Sequence, residues 1–409
     1  MLSIVLMLAS QQTVVQTPAP QAPASQTQPA PVSQTQPAPL SQGQQADVVI
    51  TGNRMRDALD KCLARNCPPE EEVDAAMNAG AESFSAGRYE EAKSILQRAI
   101  GRNRKYAARM PGRVSDLYAT YADVTEHEGD KDAFMQATRE SVYVLRRELG
   151  EGHMASIRAA PRIGDMWVKL DRPDSADGAY HGAAEDAARA GRNDIAGALT
   201  VRRAWLALAR GNLANARKLA GQVEQAHGGD PRFAPFLQML KARIAIGEGK
   251  DEGTEALVAA LRSAGTADPV LVSGPLYPDL DGQMGSGISA TGEVDIAAAQ
   301  ANRRLSRPDI RWADIGFWVR PDGRTAEAEI LRPAKNSQWA RPLLKQITGR
   351  RYALGNGGPG GIGVYRVERF TLRADYGLET GSRVRKRTGP SKLHVIDLTR
   401  LSERDQAAE

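Results

Sequence analysis

Aromatic side chains are scarce in this chain, 5% of its 409 residues, although apolar residues reach 41%. A core must therefore come mostly from small and aliphatic side chains, which suits close helix packing better than an aromatic-rich β-sandwich. Cysteine is nearly missing: only Cys62 and Cys67 occur. Four residues lie between them, not the two of a redox pair, and no second pair completes a zinc site. In an exported chain they read as a local disulfide, and otherwise as two ordinary thiols. A strong charge bias is also missing, since 54 basic and 49 acidic residues leave a net +5. Such a balance lacks the concentrated basic footprint of a nucleic-acid binder. The densest basic run, Arg383, Arg385, Lys386 and Arg387, reads as a solvated tail or as a contact for polyanions. No apolar stretch reaches the roughly 20 residues that span a bilayer.

Catalytic signatures are missing as well. Of the five histidines, His127, His153, His181, His227 and His394, no two share a helix-face metal spacing and none sits in a nucleophile or zinc motif. The glycine-rich Gly357–Gly363 lacks the Lys-Ser/Thr ending of a phosphate loop and precedes a strand, where no helix dipole awaits an anion. The expectation is a protein that is not an enzyme, with no catalytic residue, metal, cofactor or small-molecule substrate.

The length allows two or three domains. Residues 1–10 form a signal-like segment with an apolar Leu2–Ala9 but no basic n-region. Residues 11–45 are a Pro/Gln-rich spacer in which Ser25–Pro31 recurs as Ser33–Pro39; it has too little to bury to fold. Val48, Val49, Ile50 and Thr51 suggest one short strand. From 54 to 265 the periodicity is helical. Gly87-Arg88-Tyr89-Glu90-Glu91-Ala92 reads as a tight turn followed by a helix start, with Ala92, Leu96 and Ala99 on one face. Proline and glycine rise again over 269–292, within a segment of 266–310 that reads as a linker. The period then changes: Trp312–Arg320 alternates, Pro321-Asp322-Gly323 signals a turn, and Thr325–Leu331 returns as a second strand. A helix capped by Ser337 and stopped by Gly349 follows, starting late or bent at Pro342. Val364–Leu372 makes a third strand and Leu393–Leu398 a further one, within a module of 311–399; residues 400–409 are a tail.

The helical half resembles the tetratricopeptide repeat. Counting from Ile157, Gly164 is eighth, Trp167 eleventh, Ala176 twentieth, Tyr180 twenty-fourth and Ala183 twenty-seventh. The unit counted from Val73 keeps Gly80, Tyr89, Ala92 and Ala99 but has Ser83 at the eleventh position. The resemblance implies a stack of helical hairpins in which these residues pack neighbouring helices together.

The C-terminal module resembles the TonB C-terminal domain, through Gly316–Arg324, Trp339–Leu344, Arg351-Tyr352 and Tyr365–Leu372. Val48–Gly52 is similar to the short segment near the N-terminus of TonB-dependent receptors. The resemblance implies a periplasmic protein whose exposed sheet edge, Val364, Tyr365, Arg366, Val367, Glu368, Arg369 and Phe370, pairs with peptides of other envelope proteins such as outer-membrane receptors. The proline that follows the Arg-Tyr position in that family is replaced by Ala353-Leu354. The expected fold is thus α+β, a tetratricopeptide-like hairpin array followed by a small β-β-α-β module. The function the resemblance implies is non-catalytic peptide binding in outer-membrane transport or envelope assembly. The alternative is a general tetratricopeptide scaffold with a purely structural sheet, which a strand from 391–399 covering the edge would favour.

Overall fold

A computed structural model describes residues 54–250, 269–278, 280, 310–332, 337–353, 363–378, 381 and 385–399. The signal-like segment, the spacer and the short strand expected at 48–51 lie outside the described residues. The fold is α+β, with helices first and a sheet after them.

Among the described residues eleven helices come first: α1 (Arg54–Ala64), α2 (Pro69–Ser85), α3 (Tyr89–Asn103), α4 (Pro111–His127), α5 (Lys131–Leu149), α6 (Met154–Ala159), α7 (Pro161–Lys169), α8 (Pro173–Arg189), α9 (Asn193–Ala209), α10 (Leu213–His227) and α11 (Ala234–Gly247). Their boundaries follow from local chemistry. α2 opens on Pro69, which needs no amide partner there, and carries Glu70, Glu71 and Glu72 against the positive end of its dipole. Asp130 caps α5 by accepting from the Ala133 amide at 3.3 Å. Short turns at Gly87, Gly129, Gly191 and Gly211, all at positive φ, reverse the chain between consecutive helices. The hairpins pack through small side chains. Ala76, Ala79, Ala92, Leu96 and Ala99 are buried in one cluster, and Ala204, Ala216, Ala220 and Leu240 in another. Cys62 and Cys67 are joined as a disulfide that closes the end of α1, with 5.1 Å between their Cα atoms.

The second half holds β1 (Val270–Ser273), β2 (Arg311–Val319), β3 (Thr325–Arg332), α12 (Arg341–Thr348), β4 (Arg351–Ala353), β5 (Val364–Leu378) and β6 (Arg385–Asp397). The main sheet is antiparallel in the order β3-β2-β5-β6, and β1 pairs with β4 beside it. The Pro321-Asp322-Gly323 turn lies where its residues require: Gly323 has φ +77° and Asp322 accepts from the Arg324 amide at 2.9 Å. One sheet face, with Ile315, Phe317, Val319, Phe370 and Leu372, packs on Trp339, Leu343 and Ile347 of the helical segment. Pro342 sits in the first turn of α12, after a 3-10 turn at Gln338–Ala340, so the helix starts late rather than bending; Ser337 makes no side-chain cap.

Three expectations change. The segment expected as a linker is, where described, part of the sheet module: β1 pairs with β4 and Leu280 is buried in the sheet core. The third strand runs on to Leu378, and the basic run expected as a tail contributes Arg385–Arg387 to β6. Most consequentially, the strand expected at a free edge is interior. Glu368–Leu378 pairs with Asp397–Arg385, and Val367 bonds to Leu398 and Thr399. Only Val364, Tyr365 and Arg366 run past β6, and Arg366 there is held by Asp397 and the Pro269 carbonyl.

The sheet rests directly on hairpin turns. A Cβ at Gly129 would run into the Ala374 carbonyl, whereas the space around Gly191 is open, although both residues hold positive φ. Gly129→Ala should therefore cost roughly 1–3 kcal/mol more than Gly191→Ala in urea unfolding. Equal losses would show that the turn does not bear on the sheet.

Candidate functional site: the array face and its seam with the sheet

α2 ends at Ser85, and just past it the Gly87 amide donates to the Phe84 carbonyl at 2.9 Å. The sheet adds a further donor there. Arg369 of β5 is fully buried and donates from Nη1 to the Phe84 carbonyl (2.9 Å) and from Nη2 to the Ser85 carbonyl (2.7 Å). Its Nε and Nη2 also reach the two carboxylate oxygens of buried Asp314 at 2.7 and 3.0 Å, and Nη1 reaches the Tyr89 hydroxyl at 3.3 Å. All five guanidinium donors are thus used, and the cation lies 4.2 Å from the Trp312 ring centroid. A cation at a helix C-terminus also meets the negative end of the dipole.

The pattern repeats one hairpin further on. At the end of α4, His127 Nε2 is 2.9 Å from the Thr371 hydroxyl, and Glu126 accepts from Arg373 at 3.0 Å. The Tyr376 amide donates to the Gly129 carbonyl at 2.8 Å and the Leu378 amide to Asp132 at 3.0 Å. Lys169, ending α7, lies 3.6 Å from Glu126. β5 therefore runs as a splint across the ends of α2 and α4. At the far end of the array, Met239 and Ala242 of α11 pack on Val270, Val272 and Ala353.

The seam is electrostatically tight. Burial alone would raise the Glu126 carboxyl, but the Lys169 and Arg373 cations outweigh it, joined in acid by protonated His394, and hold it far below the usual carboxylate range. Burial, with the neighbouring arginines, pushes His127 down to about 3 and His394 down to about 4. Neutral His394 bridges the network, accepting from Arg373 at 2.7 Å with its other nitrogen 3.3 Å from Glu126.

Away from the seam, the first helices of successive hairpins are joined by arginine–aspartate pairs. Arg113 of α4 pairs with Asp74 of α2, Arg162 of α7 lies 3.6 Å from Asp116 of α4, and Arg202 of α9 lies 2.8 Å from Asp165 of α7. The residues of the tetratricopeptide-like pattern lie within this stack. Gly80 admits Leu96, and Gly164 admits the Tyr180 ring, whose hydroxyl donates to Asp165 at 2.5 Å. Ala92, Ala176, Tyr180 and Ala183 are buried, and Trp167 is half-buried 5.8 Å from the Arg139 guanidinium. Tyr89 is buried between Phe84 and His127, and its hydroxyl also meets the sheet. The roles of Arg369, Glu126 and Asp314 at the seam were not read from the sequence; the alternating polar residues of β5 signalled only a second face. Among the described residues no cluster of His, Cys, Asp or Glu could hold a metal ion.

No protein-family model matches the chain, and no curated protein matches it.

Between about pH 3 and 6.5 the unfolded chain binds protons at both histidines that the folded chain excludes, so stability rises with pH across that window. Glu126 adds to the same trend, because its stabilisation is present above its ordinary pKa of 4.5 and is lost only in stronger acid. Acidification from pH 6.5 to 4 should lower stability by on the order of 1 kcal/mol per pH unit, and His394→Gln should flatten that slope. A slope unchanged in His394→Gln would remove His394 from the coupling.

Proposed function

We propose that the protein is a non-catalytic binding scaffold, with the hairpin array as its partner surface and the sheet as its buttress. The observation that carries this reading is the position of β5, paired on both sides and laid across the hairpin ends. A sheet used in that way sets the array's geometry in advance, and a surface ordered beforehand loses less entropy on binding. The Arg–Asp pairs between the first helices neutralise one another. The surface they form thus selects a partner by hydrogen bonding and shape more than by net charge. The Cys62–Cys67 bond supports an oxidising compartment. The signal-like residues 1–10 support export to the periplasm, and envelope proteins are the partners this places within reach. Among the described residues, no helix is long and apolar enough to cross a membrane.

The resemblance of the C-terminal module implies strand addition of the TonB kind, and the interior position of β5 weighs against it. The outer edges of the sheet are β3 and β6: β6 carries Pro390, and β3 exposes Glu327, Glu329 and Arg332 and is kinked by positive φ at Glu327. Charges and irregularity are how sheet edges resist added strands.

The test is capture of the tagged full-length chain from chemically cross-linked cells, with the cross-linked sites mapped by mass spectrometry. Partner cross-links within Arg54–Gly247 are expected. Cross-links confined to Thr325–Arg332 would return the function to the sheet edge.

A further inference from the structure

Leu276 is 87% exposed, more than any other large apolar side chain among the described residues, and its neighbour Tyr277 is 43% exposed. This is not a loose loop. The Pro275 carbonyl accepts from Gln346 Nε2 at 3.1 Å, and its ring lies so close to Gly349 that a Cβ there would collide. The Tyr277 hydroxyl accepts from Arg350 Nη2 at 3.3 Å. Arg350 itself is 1% exposed and fixed by Gln346 at 3.0 Å, the Tyr352 hydroxyl at 3.1 Å and Glu368 at 2.8 Å. A buried cage therefore pins both sides of a tip whose leucine stands in water.

The surroundings of the tip are basic. Arg341, Lys345 and Gly349 share one stripe of α12 and its cap, four residues apart, so the two exposed cations line up toward the glycine on which Pro275 packs. Arg351, also exposed, is the register partner of Ser273, the residue before Gly274. The segments Gly274–Pro278, α12 and β4 contain no acidic residue; the first acidic residues in the chain after the tip are Asp279 and Asp281. Pro275 and Pro278 have no amide N–H, so the tip presents few backbone donors that would need water.

We propose that Gly274–Pro278 is a contact for an anionic lipid surface. Leu276 enters the headgroup–acyl boundary, Tyr277 stays anchored through its hydroxyl on Arg350 beneath the tip, and Arg341, Lys345 and Arg351 face the anionic phosphates. The combination matches what such a surface selects: a rigidly held apolar tip and adjacent cations. One leucine and three cations give weak, reversible and salt-sensitive attachment, which would hold the scaffold at a membrane without spanning it.

The experiment is flotation of the full-length protein with phosphatidylcholine vesicles, with and without phosphatidylglycerol. Binding is expected only with phosphatidylglycerol and should fall on adding salt. Leu276→Ser should weaken it about tenfold, and Lys345→Glu with Arg351→Glu tenfold or more. Arg98→Glu, on α3 of the array, should leave it unchanged, and circular dichroism should be the same for all four proteins. Absence of vesicle binding by the unaltered protein, or binding indifferent to both sets of substitutions, overturns the proposal. Loss of captured protein partners in Leu276→Ser without any vesicle binding does so too, and makes the tip a protein contact instead.

Discussion

A buried arginine has no stable place in a protein unless every donor it carries is met, and Arg369 meets that condition only because two halves of the chain come together around it. Asp314 supplies the counter-charge from within the sheet, while Phe84 and Ser85 supply the carbonyls that end α2. Removing either side leaves a desolvated charge, a loss that in buried pairs runs to about 3–5 kcal/mol. The pair is therefore less a source of net stability than a constraint on arrangement. Arg369 can be buried only with the first hairpin docked, and the last carbonyls of α2 meet its guanidinium only with the sheet in place.

The same logic extends along β5. Thr371, Arg373, Tyr376 and Leu378 each bond to the second hairpin or to its turn. Helical arrays of this kind normally hold their shape through nearest-neighbour packing alone. Here a strand far away in sequence ties two hairpins at fixed spacing, and α11 packs on β1 and β4 at the other end. A sheet engaged on one face by helix ends, and on both sides of β5 by strands, is suited to holding a surface in shape.

Much of the helical half was legible because its rules are local. Gly87-Arg88-Tyr89 marks a turn, Glu70–Glu72 marks a helix start, and the small residues recur at spacings that only packed helices require. The hairpin at Pro321-Asp322-Gly323 was legible for the same reason. What was not legible depended on distant partners. In the sequence Arg369 falls in a strand expected to meet a partner peptide, and nothing near Arg369, Thr371 and Arg373 shows that helix ends cover them. β1 lies in a Pro- and Gly-rich stretch and is a strand only because β4 pairs with it. β6 contains Pro390 and a basic run, features of a tail or an edge strand, and it is the latter. Because β6 covers most of β5, the edge expected at Val364–Phe370 is closed from Val367 onward, and only Val364, Tyr365 and Arg366 run past it.

The central claim is that array and sheet form one cooperative body through the Arg369 seam. Native-state hydrogen exchange tests it directly, by comparing the opening free energies of amides in β5 with those in α2 and α4. The account predicts that the two sets open together in the natural protein and separate in Arg369→Met, with the sheet amides exchanging first. Sheet amides that already open independently of α2 and α4 in the natural protein would contradict it.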